Sequence, residues 1–520
     1  MFVVISVAIL FGTLYYVWYR VFSYQGLPKT LSFAGSDGSF LSRGRASFKS
    51  VLHLDSLLWA GHVEHTKVNR PYILPDLFTG HQVILPKSQF SWLTKQPASV
   101  LSQRESNNVF LAADHTFLNC VAASDAEWTF VVNVIKQITK ELNNKTDDII
   151  EEINDALALL WGSDDNDWKE IDLLDAMLQI MSRVVSRVYV GLPLCRDATY
   201  IGSTTRFAKF ILVEALLIQL TPNILRPLVG PVLARYDWVQ FTRQARRVSP
   251  IIKERVGRLG SEKPASDDAK RDLLTELIEE AYRRNEDPCQ TTSQTTRLLA
   301  ILNWAAIQVQ AITLENVLID LAHAPDSLAL QQQLREEAAV ASRTEPPSAR
   351  WTRAEVAKLP KIDSVLTESL RLWGFSHGVV KVVVAKDGVT LPSGEHIPCG
   401  AKIGVGSYGI HHDDDVYPGE QFEFDPLRFT KDKEPEKLDG LNFAKTNENY
   451  LAFSHGKYSC AGRFFANHLM KLLFAQMLLQ YDIKPNEDPR PRNPWLSYVS
   501  PPPFGYKLSI RKRTQSVAEV

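Results

Sequence analysis

The segment Phe453-Ser-His-Gly456-Lys-Tyr-Ser-Cys460-Ala-Gly462-Arg463 lies near the carboxyl end of the chain and decides the fold assignment. Its glycines allow tight turns on either side of a single cysteine, and an apolar helical pattern starts directly after it. A cysteine at a helix N-terminus is stabilised as a thiolate by unpaired backbone N–H groups and by the helix dipole. Its sulfur can therefore be a nucleophile, a redox thiol or the axial ligand of a haem iron.

Composition sets broad limits on the function. The 520 residues are 45% hydrophobic and 22% charged, as in ordinary globular proteins, and are enough for one large domain or several. The net charge of −1 provides no basic field, so nucleic acid is not a predicted partner. The five cysteines are scattered without a C-x-x-C pair, which gives no signal for a zinc or dithiol site and fits a reducing compartment.

The amino-terminal segment reads as a membrane anchor. Residues 1–19 carry no charged side chain, and a helix of this length spans about 28 Å, close to a bilayer core. A cleaved signal peptide is the alternative, but the run lacks a basic n-region and a small-x-small cleavage site. Because Arg20 and Lys29 follow the run, we expect residues 1–25 to form a single-pass anchor and hinge, with residues 26–520 as a catalytic domain facing the cytosol.

The rest of the chain predicts a mainly α fold with minor β structure. The stretch Leu298–Leu314 carries no charged residue and is apolar on nearly all sides, which is typical of a helix at the centre of a large protein or in a membrane. Its charged neighbours at 297 and 315 favour the buried position. Short strand patterns follow at Val379–Ala385, and Tyr498–Arg511 predicts a hairpin.

Two further motifs precede the cysteine loop. Glu368 and Arg371 are three residues apart, so a helix places them on one face, where they can form a charge-assisted hydrogen bond. Such a pair contributes little on a protein surface. Arg428, in the segment Phe424-Asp-Pro-Leu-Arg-Phe429, can complete a three-residue ion network with them.

These motifs together resemble the cytochrome P450 superfamily of haem-thiolate monooxygenases. The Glu-x-x-Arg, Pro-x-Arg-Phe and Phe-x-x-Gly-x-x-x-Cys-x-Gly elements occur in the family's order, and the likeness covers nearly the whole chain. The resemblance implies a cytochrome P450 fold preceded by one N-terminal transmembrane helix. The anchor and its Gly/Pro hinge are similar to those of the microsomal class, which implies the endoplasmic reticulum membrane. The sequence around Ala305–Ile307 and the Cys460 loop are similar to fungal members that serve secondary metabolism.

The resemblance also implies a cofactor, partners and site residues. Haem b would be bound with Cys460 as the thiolate ligand of the iron, and with Phe453 beside the sulfur. The glycines at 456 and 462 would let the backbone approach the haem, and Glu368, Arg371 and Arg428 would be structural. Electrons would come from NADPH through NADPH–cytochrome P450 reductase, O₂ would be the oxidant, and the substrate would be a lipophilic small molecule. The implied apolar pocket residues are Trp304, Ile307, Phe375, Val379, Val380 and Phe504.

The distal position departs from the family pattern. Family members usually carry an acid or amide followed by threonine, and here Gln308 is followed by Val309, which has no hydroxyl. Gln308, Gln310, Thr313 or an ordered water are the candidates to replace that hydroxyl in catalysis. The leading hypothesis remains monooxygenation. Val309 keeps two alternatives open. The first is an enzyme that catalyses oxidative coupling, desaturation or rearrangement without net oxygen insertion. The second is a non-catalytic haem sensor.

The propionate position departs as well. Tyr458 stands where the family usually has an arginine or histidine that contacts a haem propionate. A phenol donates one hydrogen bond but brings no charge. Lys381, at a strand position where family members often carry a basic residue, is the second candidate for propionate binding.

Overall fold

The computed structural model describes residues 12, 14–116, 125–162, 167–259, 271–284, 287–342, 351–430 and 441–514. Its labelled helices, in chain order, are α1 (Phe40–Lys49), α2 (Leu54–Glu64), α3 (Phe90–Lys95), α4 (Gln103–Leu111), α5 (Asp125–Lys140), α6 (Leu142–Leu160), α7 (Leu173–Tyr189), α8 (Ala198–Leu220), α9 (Arg226–Leu233), α10 (Arg235–Leu259), α11 (Leu273–Arg283), α12 (Pro288–His323), α13 (Ser327–Ser342), α14 (Arg353–Ala357), α15 (Pro360–Leu372), α16 (Ser407–His411) and α17 (Arg463–Gln480). Helices dominate the described residues, which confirms the mainly α prediction.

The strands form three sheets. They are β1 (Ser32–Phe33), β2 (Tyr72–Leu74), β3 (Gln82–Leu85), β4 (Leu101–Ser102), β5 (Lys169–Asp172), β6 (Gly378–Val383), β7 (Val389–Thr390), β8 (His396–Ile397), β9 (Lys402–Gly406), β10 (Tyr481–Ile483) and β11 (Lys507–Lys512). The largest sheet has the order β1-β2-β3-β9-β6-β4. Strand β6 pairs antiparallel with β9, and Lys381 lies opposite Ile403. This sheet places β6 against the region that contains the cysteine loop.

The predicted C-terminal hairpin is wrong. Strand β11 pairs instead with β5 and with β10, which come from distant parts of the sequence. Val499 forms only isolated bridges, to Leu496 and Ser376. Buried Leu508 and Ile510 find apolar partners in the main core rather than in the segment that precedes them.

Helix α12 is the central helix and exceeds its predicted length. It runs 36 residues, because buried threonines at its start and buried polar residues at its end extend the packing on both sides of the apolar stretch. It packs against α7, α8, α10 and α15. An apolar span of 34 residues within it, Gln290–His323, is long enough to cross a membrane, but 78% of its most apolar window is buried, so it is a core helix.

Residues 1–11 and 13 of the predicted amino-terminal anchor lie outside the described residues, so its membrane-spanning helix is not shown. Residues 14–22 are helical. The end of this helix is held by the body, since the guanidinium of Arg20 donates to the carbonyls of Leu77, at 2.7 Å, and Phe78. Ser47 also donates to the carbonyl of Val21, at 2.8 Å. The helix therefore leaves the body from a defined point.

Candidate active site

The cysteine loop ends directly before α17. Gly456 adopts a left-handed conformation (φ +77°), which a glycine takes without strain, and turns the chain toward the sulfur. The backbone N–H of Cys460 donates to the carbonyl of Phe453 at 2.9 Å, which closes the loop. A Cβ added to Gly462 would lie 4.0 Å from the Cys460 Sγ, so this glycine keeps the space beside the sulfur clear.

The environment of Cys460 suits a metal ligand better than a free thiol. Burial raises the pKa of the Cys460 thiol, while the N–H groups of Gly462 and Arg463 and the charge of Arg463 lower it. Yet the residue has exposed surface. Deep enclosure and exposed surface occur together in a side chain that faces an opening inside the molecule. A thiol with a raised pKa is a weak nucleophile, whereas a bound cation deprotonates it outright.

A buried ion network stands behind this loop. Arg371 donates to both oxygens of Glu368, each at 2.7 Å, and Arg428 Nε donates to Glu368 Oε1 at 3.0 Å. The Glu368 and Arg371 side chains are fully buried. Removing one partner of such a network costs about 3–5 kcal/mol, because the other charge is left uncompensated.

The network reaches the cysteine loop through His411. Arg371 donates to the carbonyl of His411 at 2.5 Å, and His411 Nε2 accepts from the backbone N–H of Leu451 at 2.9 Å. Burial and the Arg371 charge lower the pKa of His411 to about 3, so the ring is neutral and can accept. Leu451 lies two residues before Phe453, the first residue of the loop. The sequence carried no signal for His411, because its partners are 40 residues away on either side.

A buried lysine lies near the loop. Lys381 keeps 2% of its surface, and its Nζ donates to the carbonyl of Leu93 at 2.9 Å. The Nζ lies 5.4 Å from the ring centre of Tyr458, and Lys457 Nζ lies 5.3 Å from the same ring. Burial and the Lys457 charge lower the pKa of Lys381 to about 8. Among the described residues Lys381 has no carboxylate partner, so this group suits an anionic ligand.

One strip of α12 is open although most of the helix around it is buried. Ala305 is exposed, and Ile301, Trp304 and Val309 are partly exposed. Phe453, beside the cysteine, and Trp304 border the same core cluster. The open strip of α12 and the cysteine loop thus both border the main core.

The four predicted distal residues do not all share this strip. Val309 belongs to it, about 40° around the helix from Ala305. Gln308 is buried and lies about 60° away on the other side, and Gln310 is about 140° away. The Gln310 amide donates to its own helix, at the carbonyl of Ala306, 2.8 Å away. Thr313 likewise donates to the carbonyl of Val309 at 2.8 Å.

An aromatic-rich cluster borders the strip. It combines residues of α4, α8, α10 and α12 with the segment after α15, namely Phe110, Leu111, Phe207, Ile211, Leu212, Phe241, Ile301, Trp304 and Phe375. Trp304 and Phe375 were predicted to line the pocket. The α8 and α10 members were not, because apolar residues at helical spacing look the same in a core and in a pocket.

The other four predicted pocket residues are not members of this aromatic-rich cluster. Ile307 and Val380 are fully buried, and Val379 packs in the core of the largest sheet. Phe504 is 67% exposed. Their places follow from side-chain directions in the helix and sheet, which sequence position alone does not supply.

A family model settles the relationship. The model described as Cytochrome P450 matches residues 100–509, most of the chain. The chain belongs to the cytochrome P450 family. The resemblance drawn from the three motifs is thereby confirmed.

Curated relatives agree with this assignment. The cytochrome P450 is 32% identical to cytochrome P450 monooxygenase polB of Polytolypa hystricis over 99% of both chains. It is 28% identical to cytochrome P450 monooxygenase astC of Aspergillus terreus, over 95% of this chain and 94% of the relative. It is 33% identical to cytochrome P450 monooxygenase 151 of Postia placenta, over 74% and 75%.

This cytochrome P450 is therefore a haem-thiolate monooxygenase whose iron takes a cysteine as axial ligand. The described residues fit the cofactor, since Cys460 offers a thiolate facing an opening and Lys381 offers a buried cation without a carboxylate partner in the described chain. When bound, the haem supplies O₂ activation, which thiolate donation promotes. The chain's own residues hold the sulfur, exclude water and shape the space around the substrate.

Proposed function

We propose that this cytochrome P450 oxidises a lipophilic small molecule in a fungal secondary-metabolite pathway, with Cys460 as the iron ligand. It would use O₂ and electrons that NADPH supplies through NADPH–cytochrome P450 reductase. The observation that carries the proposal is the placement of Cys460, whose side chain faces an internal opening at the start of α17 while Arg371 and His411 connect its loop to a fully buried ion network. Phe453 would pack beside the sulfur, and Gly456 and Gly462 would admit the flat cofactor.

The substrate class is inferred from the aromatic-rich cluster. Five of its nine members are aromatic. Apolar cavities with few polar groups select lipophilic ligands by burial rather than by ion pairing. Trp304, a member of the cluster, donates to the side-chain amide of Gln308. This amide therefore lies beside the apolar surface and allows one directed hydrogen bond.

We also propose that residues 1–25 anchor the protein and that residues 26–520 form one catalytic domain facing the cytosol, at the endoplasmic reticulum membrane. Exposed apolar side chains support membrane contact. On the helical segment 14–22, Tyr15 is 64% and Trp18 is 45% exposed, and around α9 Ile224 is 85% and Leu228 is 74% exposed. Burial lowers the pKa of Arg226, and Tyr16 and Arg20 are among the groups that act on its charge, so α9 begins close to the amino-terminal helix.

A second candidate keeps the haem but inserts no oxygen into the product. Val309 favours it, because this position on the open strip of α12 carries no hydroxyl to hold a proton. Oxidative coupling, desaturation and rearrangement lean less on that proton supply. Turnover under ¹⁸O₂ separates the candidates, because label in the product requires oxygen insertion.

The iron ligand is tested by substitution. The reduced protein under carbon monoxide should show the red-shifted Soret band that thiolate ligation produces, and Cys460→Ala should abolish it. Cys399→Ala removes an exposed cysteine outside the site and should leave the band unchanged. A full band in Cys460→Ala would exclude Cys460 as the ligand.

A further inference from the structure

Arg490 lies where three parts of the chain meet, namely helix α12, the segment 373–378 and the segment 490–500. We infer that Arg490 is a positioning residue that fixes the spacing between α12 and Phe375, and that this spacing decides the size and shape of the lipophilic substrate which the site accepts. The inference rests on the proposed function, because it takes the aromatic-rich cluster as the substrate region. It concerns a side chain outside that cluster.

The guanidinium of Arg490 is bound to α12 by two directed contacts. Arg490 Nε donates to Asp320 Oδ1 at 2.5 Å, and Arg490 Nη2 donates to Asn316 Oδ1 at 2.9 Å. Asn316 and Asp320 are four apart on one helix face and keep 1% and 2% of their surface. The Arg490 side chain is 13% exposed. An ion pair this enclosed is held in one geometry, because separating it would leave a buried charge uncompensated.

Trp373, the residue after α15, is held by the same pair. Its indole Nε1 donates to Asp320 Oδ1 at 2.9 Å, so it shares that oxygen with Arg490. The guanidinium carbon of Arg490 also lies 3.6 Å from the centre of the Trp373 ring. A planar guanidinium stacks on an aromatic face and is attracted by its electrons. The end of α15 is therefore fixed to α12 by one carboxylate and one stacked cation.

Phe375 is two residues beyond Trp373, so its place depends on where the indole is held. Phe375 packs against the aromatic-rich cluster, and Trp304 of α12 packs against the same cluster. The backbone N–H of Ser500 donates to the Phe375 carbonyl at 3.1 Å, so the segment that begins at Arg490 also holds Phe375 at its far end. Two sides of the substrate region are thus joined through Arg490.

The expected consequence is selection of the substrate by its shape. Apolar side chains hold a ligand by dispersion, and a gap of about 0.5–1 Å already loses roughly a quarter to a half of that attraction. A ligand ring that lies between α12 and Phe375 is therefore bound well only while their spacing is kept. A ligand too small to reach Phe375 does not depend on the spacing.

Two azoles that bind ferric haem iron test this without turnover. Imidazole is the small probe, and 1-phenylimidazole adds a phenyl ring to the same iron-binding group. The shift of the Soret band on binding gives the Kd of each. In Arg490→Gln the preference for 1-phenylimidazole over imidazole should fall about fivefold, which corresponds to one lost contact of hydrogen-bond strength. Trp373→Phe keeps an aromatic ring but removes the N–H, and should lower the preference about twofold.

The matched control is Arg335→Gln on α13. The Arg335 side chain is 12% exposed, donates to the Leu478 carbonyl at 2.8 Å and pairs with Asp482 at 3.2 Å. This arginine is as enclosed as Arg490, but its partners are not members of the aromatic-rich cluster. Arg335→Gln should therefore lower the urea midpoint of unfolding about as much as Arg490→Gln, and should leave the azole preference unchanged.

An unchanged azole preference in both Arg490→Gln and Trp373→Phe, with the red-shifted Soret band of the CO complex intact, would overturn the inference alone. An equal loss of preference in Arg335→Gln would also overturn it, because stability rather than position would then set the preference. If Arg490→Gln does not fold, the ratio in Trp373→Phe decides. Failure of the proposed function would look different, because the wild-type protein itself would then lack the Soret band.

Discussion

At the scale of single residues, the least expected feature is the buried cation at Lys381. A lysine that keeps 2% of its surface and has no described carboxylate partner is costly unless an anion joins it. The aromatic ring of Tyr458, with lysines 381 and 457 each within 5.4 Å, brings the two positive charges to one place. A haem propionate would offset both, which explains how a phenol can stand where the family usually has a cation.

Lys381→Met is therefore expected to speed haem loss about tenfold, since a charge-assisted hydrogen bond is removed. Haem transfer to excess apomyoglobin measures the rate. Lys381→Arg should stay close to the wild-type rate. Lys457→Met removes an exposed cation from the same ring and should have a smaller effect. Equal rates in Lys381→Met and the wild type would assign the propionate to other groups.

At the scale of elements, α8 and α10 meet through two buried acids. Glu214 and Asp237 keep 7% and 2% of their surface, and their carboxyl groups are close enough to influence each other's ionisation. Burial raises the pKa of both groups, and the Glu214 carboxyl raises the pKa of Asp237 further. Two carboxylates in contact cannot both ionise, so the pair keeps a proton and joins the two helices.

This pair predicts how stability depends on pH. The folded state holds protons that the unfolded chain releases above its ordinary carboxyl pKa of about 4, so stability falls as the pH rises from about 5 toward 9. Asp237→Asn keeps a hydrogen bond without the charge and should raise the free energy of unfolding at pH 8 by roughly 2 kcal/mol. Urea unfolding of the haem-loaded protein at several pH values measures this.

The control for that series is Glu254→Gln, an exposed member of an ion pair with Arg258 on α10, which should leave the pH slope unchanged. A slope that survives in both Asp237→Asn and Glu214→Gln would show that other groups cause it.

At the scale of the whole molecule, the exposed apolar surface is unevenly distributed. The amino-terminal helical segment and the region around α9 carry many of the exposed large apolar side chains, including Leu228 and Val232, which are 74% and 70% exposed. Arg20 fixes the start of the body beside this region. The molecule therefore has two apolar surfaces on one side, which would meet a bilayer together.

Deleting residues 1–19, which keeps Arg20 and its contacts, should weaken binding to phosphatidylcholine vesicles without abolishing it. Adding Leu228→Ser and Val232→Ser should lower the remaining partition coefficient about tenfold or more, because two aliphatic side chains that would enter the bilayer are lost. Leu328→Ser, at a 66% exposed leucine on α13, is the matched control and should have no effect. Complete release by the deletion alone would assign membrane binding to the anchor by itself.

The sequence by itself determined the family, the mainly α class and the three motifs, because each motif is a short pattern whose residue types and spacing carry its chemistry. It also placed Gln308 at the acid-or-amide position of the distal helix and Val309 where the family usually has threonine. Only the tertiary structure joined Arg371 through His411 to the cysteine loop, paired β11 with β5, and separated Gln308 from Gln310. It also brought α8 and α10 into one apolar cluster with α12 and placed Trp304 on the Gln308 amide. These features depend on side-chain direction and on contacts between distant segments, and such contacts arise from burial in the folded chain rather than from local pattern.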